Sequence, residues 1–191
     1  MEEGFFNSER IISERVASGS PASGSVDGLI SKSAAGAVRA SNVFHRNLLL
    51  ATTARLQFID ITEQVIELAR ESGIQAGLVN IQSRHTTTAI VVNEDEPLLL
   101  EDMKKTLDLV ASPGQYYQHN DFSIRTVNME EEETGNGHSH CQALFLRTSE
   151  TLNLMNGELQ LGRWQRVFFI ELDRARERMV SIMIMGLVIG Q

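Results

Sequence analysis

Most of the chemistry open to this sequence lies in five histidines, His45, His85, His119, His138 and His140. Four fall between residues 85 and 140, each among polar or small neighbours. His85 stands in Arg84-His85-Thr86-Thr87-Thr88, directly before an apolar run. His119 follows Tyr116-Tyr117-Gln118, and His138 and His140 share Asn136-Gly137-His138-Ser139-His140-Cys141. A neutral imidazole can ligate a divalent metal, and its titration near neutral pH suits it to proton transfer. Carboxylates at Glu94, Glu171 and Asp173 could complete such a site. Spacing alone is a weak signal, because zinc motifs keep two ligands close and only His138 and His140 are close here. Taken singly, each histidine is more commonly a surface or hydrogen-bonded residue than a functional one.

A second set is basic. Arg163, Arg166, Arg174, Arg176 and Arg178 crowd into one short stretch of an otherwise acidic chain. The guanidinium fork matches phosphate geometry, so two or three of them could form an anion pocket, the rest being surface charge. Trp164, between a turn and a strand, reads equally as a corner of the core or as a site residue, since indole offers both area and a donor. The glutamates at 130–133 read as a solvated loop. Met179, Met183 and Met185 read as core packing, because methionine fills irregular gaps.

Composition bounds what these residues can serve. The chain has 191 residues, 42% hydrophobic and 22% charged, with a formal net charge of −8. That is ordinary globular composition and enough length for one core without disulfides. The acidic balance argues against a nonspecific nucleic-acid binder, which needs Lys and Arg to displace counterions from phosphates. The lone Cys141 excludes an intramolecular disulfide and a multi-cysteine zinc site, so any metal must be held by histidines and carboxylates. No apolar run reaches the roughly 18 residues of a membrane helix, and the acidic start lacks a signal-peptide pattern. A soluble cytoplasmic protein with no nucleic-acid or membrane partner is expected. A GxxxxGK[ST] loop, a GxGxxG turn and a GxSxG elbow are all missing from the sequence, which makes the common nucleotide-binding and hydrolase scaffolds poor candidates.

The elements that must position these residues begin near residue 46. Residues 1–45 are expected to be a flexible extension, with a short helix over 1–15 and a Ser/Ala/Gly-rich stretch that offers little apolar surface to offset ordering entropy. Residues 48–50 and 56–61 read as extended. Ile61, Val65, Leu68 and Ala69 fall at helical spacing over residues 63–72, with Thr62 as cap and Gly73 as stop. Residues 77–83 and 87–92 are β-branched strands. Pro97 opens a second helix whose buried face is Leu99, Met103, Leu107 and Val110. Residues 112–137 read as loop. Asn156-Gly157 between apolar runs marks a hairpin, and residues 167–172 and 179–187 are two further strands. The order predicts an α+β fold with mostly antiparallel sheets and flanking helices, forming one domain over residues 46–191.

Set in order, these pieces resemble the YjbQ family, whose members have been assigned secondary thiamine-phosphate synthase activity. The resemblance runs from about residue 48 to 187. It rests on Asp60-Ile61-Thr62, His85-Thr86-Thr87, Asn93-Glu94, Tyr116 to His119, His138, Gly157-Glu158-Leu159-Gln160-Leu161-Gly162, Trp164-Gln165 and Glu171-Leu172-Asp173. It implies two packed sheets with helices, a homotrimer, and a site around His85, His119 and His138, with Asn93, Glu94 and Glu171 in catalytic positions. Trp164, Gln165, Arg147, Ser149, Arg174 and Arg176 would bind a phosphorylated small molecule. The histidine triad would hold a divalent metal, zinc or magnesium, with His140 as a fourth candidate ligand standing where the family commonly has lysine. Arg147, Arg163 and Arg174 likewise stand where the family pattern has other residues, which adds basic groups. The activity implied joins an aminopyrimidine diphosphate to a thiazole phosphate. Two readings stand beside it: metal-assisted hydrolysis of a small molecule, and a non-enzymatic trimeric module that binds metal or ligand.

Overall fold

The structure, a computed structural model, describes residues 39–189. The expected helix over 1–15 and most of the expected extension lie outside these residues. The boundary expected at residue 46 falls inside a strand: β1 runs Arg39–Ala51 and pairs along its whole length with the last strand, β8 (Glu177–Ile189). The ladder with β8 continues through residues 39–45, where Phe44 packs against the core, so the ordered pairing starts before the expected boundary.

Between them come β2 (Gln57–Asp60), α1 (Thr62–Glu71), β3 (Ala76–Ser83), β4 (Thr88–Asn93), α2 (Pro97–Val110), α3 (Gly137–Ala143), β5 (Ser149–Met155), β6 (Glu158–Leu159) and β7 (Arg166–Glu171). They form a five-stranded sheet in the order β1-β8-β3-β5-β6 and a three-stranded sheet in the order β2-β7-β4. Every recorded strand pair is antiparallel. The fold is α+β, as expected. Among the described residues no helix is long and apolar enough to cross a membrane.

β7 explains the layering. Val167 and Phe169 point into a core shared with α1 and the five-stranded sheet, through Val65, Ile81, Ile182 and Ile184. Phe168 and Ile170 point the other way, into a second core under α2 and α3 with Leu107 and Ala89. A strand buried on both faces reads as a continuous apolar run, which is what residues 167–170 show.

Several local expectations shift. Ile61, rather than Thr62, is the N-cap residue of α1; Thr62 is its first helical residue, with its amide donating to Asp60 Oδ1 at 2.9 Å and its hydroxyl accepting the Val167 amide at 2.8 Å. Glu96 caps α2 by accepting the Leu98 and Leu99 amides, and Pro97 sits in the first turn as expected. Val110 is exposed at 43%, because α2 turns its last residue outward and Ala111 takes the inner position. The methionines of β8 lie on the outer face of the sheet, half-buried or exposed, while Val180, Ile182 and Ile184 carry the core. The hairpin β5–β6 forms as read, with Asn156 and Gly157 both at positive φ.

Candidate functional site

Four segments converge on one polar cavity of about 800 Å³. The β3–β4 connection supplies Arg84, His85, Thr86 and Thr87. The long 112–136 connection supplies His119, Arg125 and Asn136 among others, α3 supplies His140, and the β7–β8 connection with the start of β8 supplies Arg174, Arg176 and Arg178. Five arginines line the cavity against two glutamates, Glu130 and Glu133. Arg125 pairs with Glu133, Arg176 with Asp173 and Arg178 with Glu171, so the positive excess of the pocket is carried by Arg84 and Arg174.

His85 is fixed by the sheet. Its Nε2 accepts the Met179 backbone N–H at 2.9 Å, so the neutral ring carries its proton on Nδ1. Burial lowers its pKa, the Arg178 guanidinium lowers it further, and Glu171 pulls the other way. His85 is therefore a neutral hydrogen-bond donor beside a row of cations.

His119 and His140 pair edge to face, ring centroids 4.7 Å apart. The contact depends on Gly137, where α3 begins. A Cβ there would meet the Tyr117 side chain at 2.6 Å, and its N–H donates to Asn120 Oδ1 at 2.8 Å. Bare backbone at this position lets the short 3-10 turn Gln118–Asn120 lie against the helix. The Arg125 guanidinium organises the same segment, donating to Glu133 at 2.6 Å and to the His119 and Asn128 carbonyls. It holds the Glu133 carboxyl below the usual range. Burial lowers the pKa of His140, and His119 lowers it further.

His138 lies outside the cavity wall, buried in α3. The Ser139 hydroxyl donates to the Leu172 carbonyl at 2.8 Å, so His138 Nε2, 3.1 Å away, is the donor to Ser139 Oγ. Burial and then Arg55 lower the pKa of His138, against Asp173 and Asp108.

The expected metal triad is therefore not assembled within one chain. His85 has committed its only lone pair to Met179, and His138 is turned into α3. Among the described residues no three His, Cys, Asp or Glu side chains come close enough to hold one ion, with or without His140. The donor set present does not fit a three-histidine zinc or magnesium centre.

The remaining expected site residues divide between the two ends of one sheet. Antiparallel β4 and β7 place Thr88 opposite Glu171 at the cavity end and Asn93 opposite Arg166 at the other. The six residues of β7 span about 17 Å at roughly 3.3 Å each. Asn93, Glu94, Trp164 and Gln165 thus sit at the far end, where Trp164 is 60% exposed under the Arg163 guanidinium and Arg166 is paired with Asp60 and Glu63. Arg147 is exposed and paired with Glu150, and Ser149 opens β5, both outside the cavity wall. Glu171 lies beneath the cavity, fully buried and bound to Arg178. Of the expected set, His85, His119, His140, Arg174 and Arg176 share the pocket. Arg84, Arg125 and Asn136 also line it without having been singled out. The adjacency of Arg84 to His85 was a usable signal, whereas Arg125 sits in a polar loop that carries none.

Such a pocket can hold an anionic group on its guanidiniums and offer it neutral imidazole donors. Comparison with known proteins matches this architecture. Residues 46–187 match the family described as UPF0047 protein YjbQ-like. A UPF0047 protein of Methanothermobacter thermautotrophicus is 36% identical over 144 residues, 75% of this chain and 93% of that protein. One from Archaeoglobus fulgidus is 37% identical over 135 residues, 71% of this chain and 96% of that protein. A crystal structure of a YbjQ-like protein of unknown function from Sulfolobus solfataricus P2 superposes with a TM-score of 0.69 at 31% identity, covering 77% of this chain and 99% of that one. A hypothetical protein from Aeropyrum pernix K1 superposes with a TM-score of 0.66 at 32% identity, covering 75% and 98%. With the matched region spanning strands of both sheets, the α-helices of the described residues and the whole cavity wall, this chain belongs to the YjbQ-like UPF0047 family.

Proposed function

We propose that the protein is a thiamine-phosphate-synthase-like transferase. It joins the methylene carbon of an aminopyrimidine diphosphate to the ring nitrogen of a thiazole phosphate. The nitrogen lone pair forms the new C–N bond, the C–O bond to the diphosphate breaks, and pyrophosphate leaves with that electron pair. Charge builds on the departing diphosphate, so the barrier falls where cationic donors already face it. The observation that carries this reading is the convergence of five arginines and three histidines on one cavity. Arg84, Arg174 and Arg176 hold phosphate oxygens, and His85, with its proton on Nδ1, hydrogen-bonds to the leaving group. In this reading the guanidiniums and imidazoles stabilise the charge, and no step depends on a histidine-held ion.

A homotrimer belongs to the same reading. Val43, Met185 and Leu78 stand side by side on three neighbouring strands, 64%, 38% and 41% exposed, which is an apolar row an assembly would bury.

Incubation with the two heterocyclic phosphates, followed by chromatographic assay for thiamine phosphate, tests the activity. Product above a His85→Ala control is expected. Saturable binding of both compounds without product would instead leave a binding module, and phosphate release from one compound alone would leave a hydrolase.

A further inference from the structure

The floor of the cavity is built differently from its walls. Arg178 is the most buried of the arginines there, its side chain 4% exposed. Its Nε donates to Glu171 Oε2 at 2.6 Å and its Nη2 to Glu171 Oε1 at 2.7 Å, a two-bond fork. Nη2 also reaches Thr87 Oγ1 at 3.3 Å. Glu171 also accepts the Asp173 amide at 2.9 Å, and the Thr52 hydroxyl lies 3.1 Å from its Oε2 and 3.0 Å from the Arg176 carbonyl, sharing one proton between them. The Arg178 fork and the Asp173 amide thus take up three acceptor positions of this fully buried carboxylate. What it does is hold Arg178.

Arg178 is held at one edge only. Its Nη1 has no hydrogen-bond partner among the described residues, and the side chain lines the cavity. Among the described residues two neighbouring guanidiniums also have no carboxylate partner: the Arg84 side chain donates to the Met179 sulfur at 3.5 Å, and that of Arg174 to the Thr134 hydroxyl. A guanidinium edge that lines a cavity without a protein partner is where an anionic ligand can be taken up. Burying an ion pair also carries a desolvation cost that an apolar pair of the same size avoids.

We infer that Arg178, locked in place by Glu171, is the residue that anchors the phosphoryl group of the ligand, and that Glu171 is a positioning residue. Rigid placement matters because a fork already oriented loses little freedom when it takes up phosphate oxygens. The inference rests on the phosphorylated-ligand part of the function proposed above.

Isothermal titration of the full chain with inorganic pyrophosphate tests it, with circular dichroism reporting the fold of each variant. Arg178→Lys keeps the charge and loses the fork; affinity is expected to fall at least about tenfold, while Arg70→Ala on the exposed face of α1 leaves it unchanged. Glu171→Gln separates positioning from simple charge. Removing a negative charge should tighten anion binding if only the field matters, and should weaken it if Glu171 aims Arg178. Should that variant not fold, Glu171→Asp, which keeps the charge and shortens the arm, is expected to weaken binding for the same reason. Arg178→Lys within twofold of wild type overturns the anchor, and tighter binding by Glu171→Gln overturns the positioning role. Wild-type protein with no saturable pyrophosphate binding overturns both this inference and the proposed substrate class. Arg178-dependent binding without thiamine phosphate synthesis leaves the inference standing and the transferase reading refuted. Synthesis by Arg178→Lys at unchanged KM refutes the inference alone.

Discussion

At the scale of single residues, hydrogen bonds decide which histidine can do what. His85, His119 and His138 look equivalent in the sequence, each in a polar or small-residue setting. In the fold His85 is an acceptor from Met179, His138 is a donor to Ser139, and His119 has a buried nitrogen without a partner. His85 also joins the β3–β4 connection to β8, a role separate from chemistry. His85→Phe keeps a planar ring but orphans the Met179 amide, which should lower stability by about 1–2 kcal/mol. Urea denaturation measures this, and an unchanged midpoint would count against the bond. None of these roles was legible beforehand, since they follow from a backbone amide 94 residues away and from a hydroxyl already committed to Leu172.

At the scale of elements, legibility follows how local the determining contacts are. The β5–β6 hairpin was readable because Asn156-Gly157 supplies both positive-φ positions that a two-residue turn demands. The start of α2 was readable from Pro97 and the acidic residues before it. α3 was missed: Gly137-His138-Ser139-His140-Cys141-Gln142-Ala143 is a poor helix former. It is held by tertiary bonds, above all from Gln142 Nε2 to the Leu107 and Ala111 carbonyls of the α2 end. β3 and β8 show a requirement of a different kind. Gly77 faces Gly186 across the ladder, and a Cβ on either would collide with backbone of the other strand. Gly77→Ala should therefore destabilise by about 3 kcal/mol or more, whereas Gly114→Ala, in an open loop, should cost little. Paired thermal melts compare them, and equal midpoints would argue against so close an approach of the strands.

At the scale of the whole molecule, burial and charge act together. Burial and nearby charges lower the pKa values of His85, His138 and His140 below the ordinary imidazole value of 6.5. As pH falls below about 6.5 the unfolded chain binds protons that the folded chain refuses, so stability must fall. The stabilisation is complete above the unfolded value and is lost as pH drops through the lowered folded values. Melting temperature should decline from pH 7 to pH 5, and His138→Gln should flatten that decline. A melting temperature that climbs on acidification would contradict the sign. The exposed row Val43, Met185 and Leu78 bears on assembly. Sedimentation should show a trimer that Met185→Glu, which sets a charge in the middle of the row, converts to smaller species; identical sedimentation of the two would place the interface elsewhere.

The sequence by itself determined the elements with local signatures, the α+β class, the family, and a shortlist of imidazoles and guanidiniums. These depend on side-chain type, short-range turn chemistry and apolar period, which a linear string displays. Only the tertiary structure decided which members of the shortlist meet. The antiparallel pairing of β4 with β7 sends Asn93 and Trp164-Gln165 to one end and Glu171 to the other, about 17 Å of strand apart. The fold also turned Glu171 from a candidate catalyst into the clamp on Arg178, because that role depends on the Asp173 amide and the Arg178 fork reaching one carboxylate together.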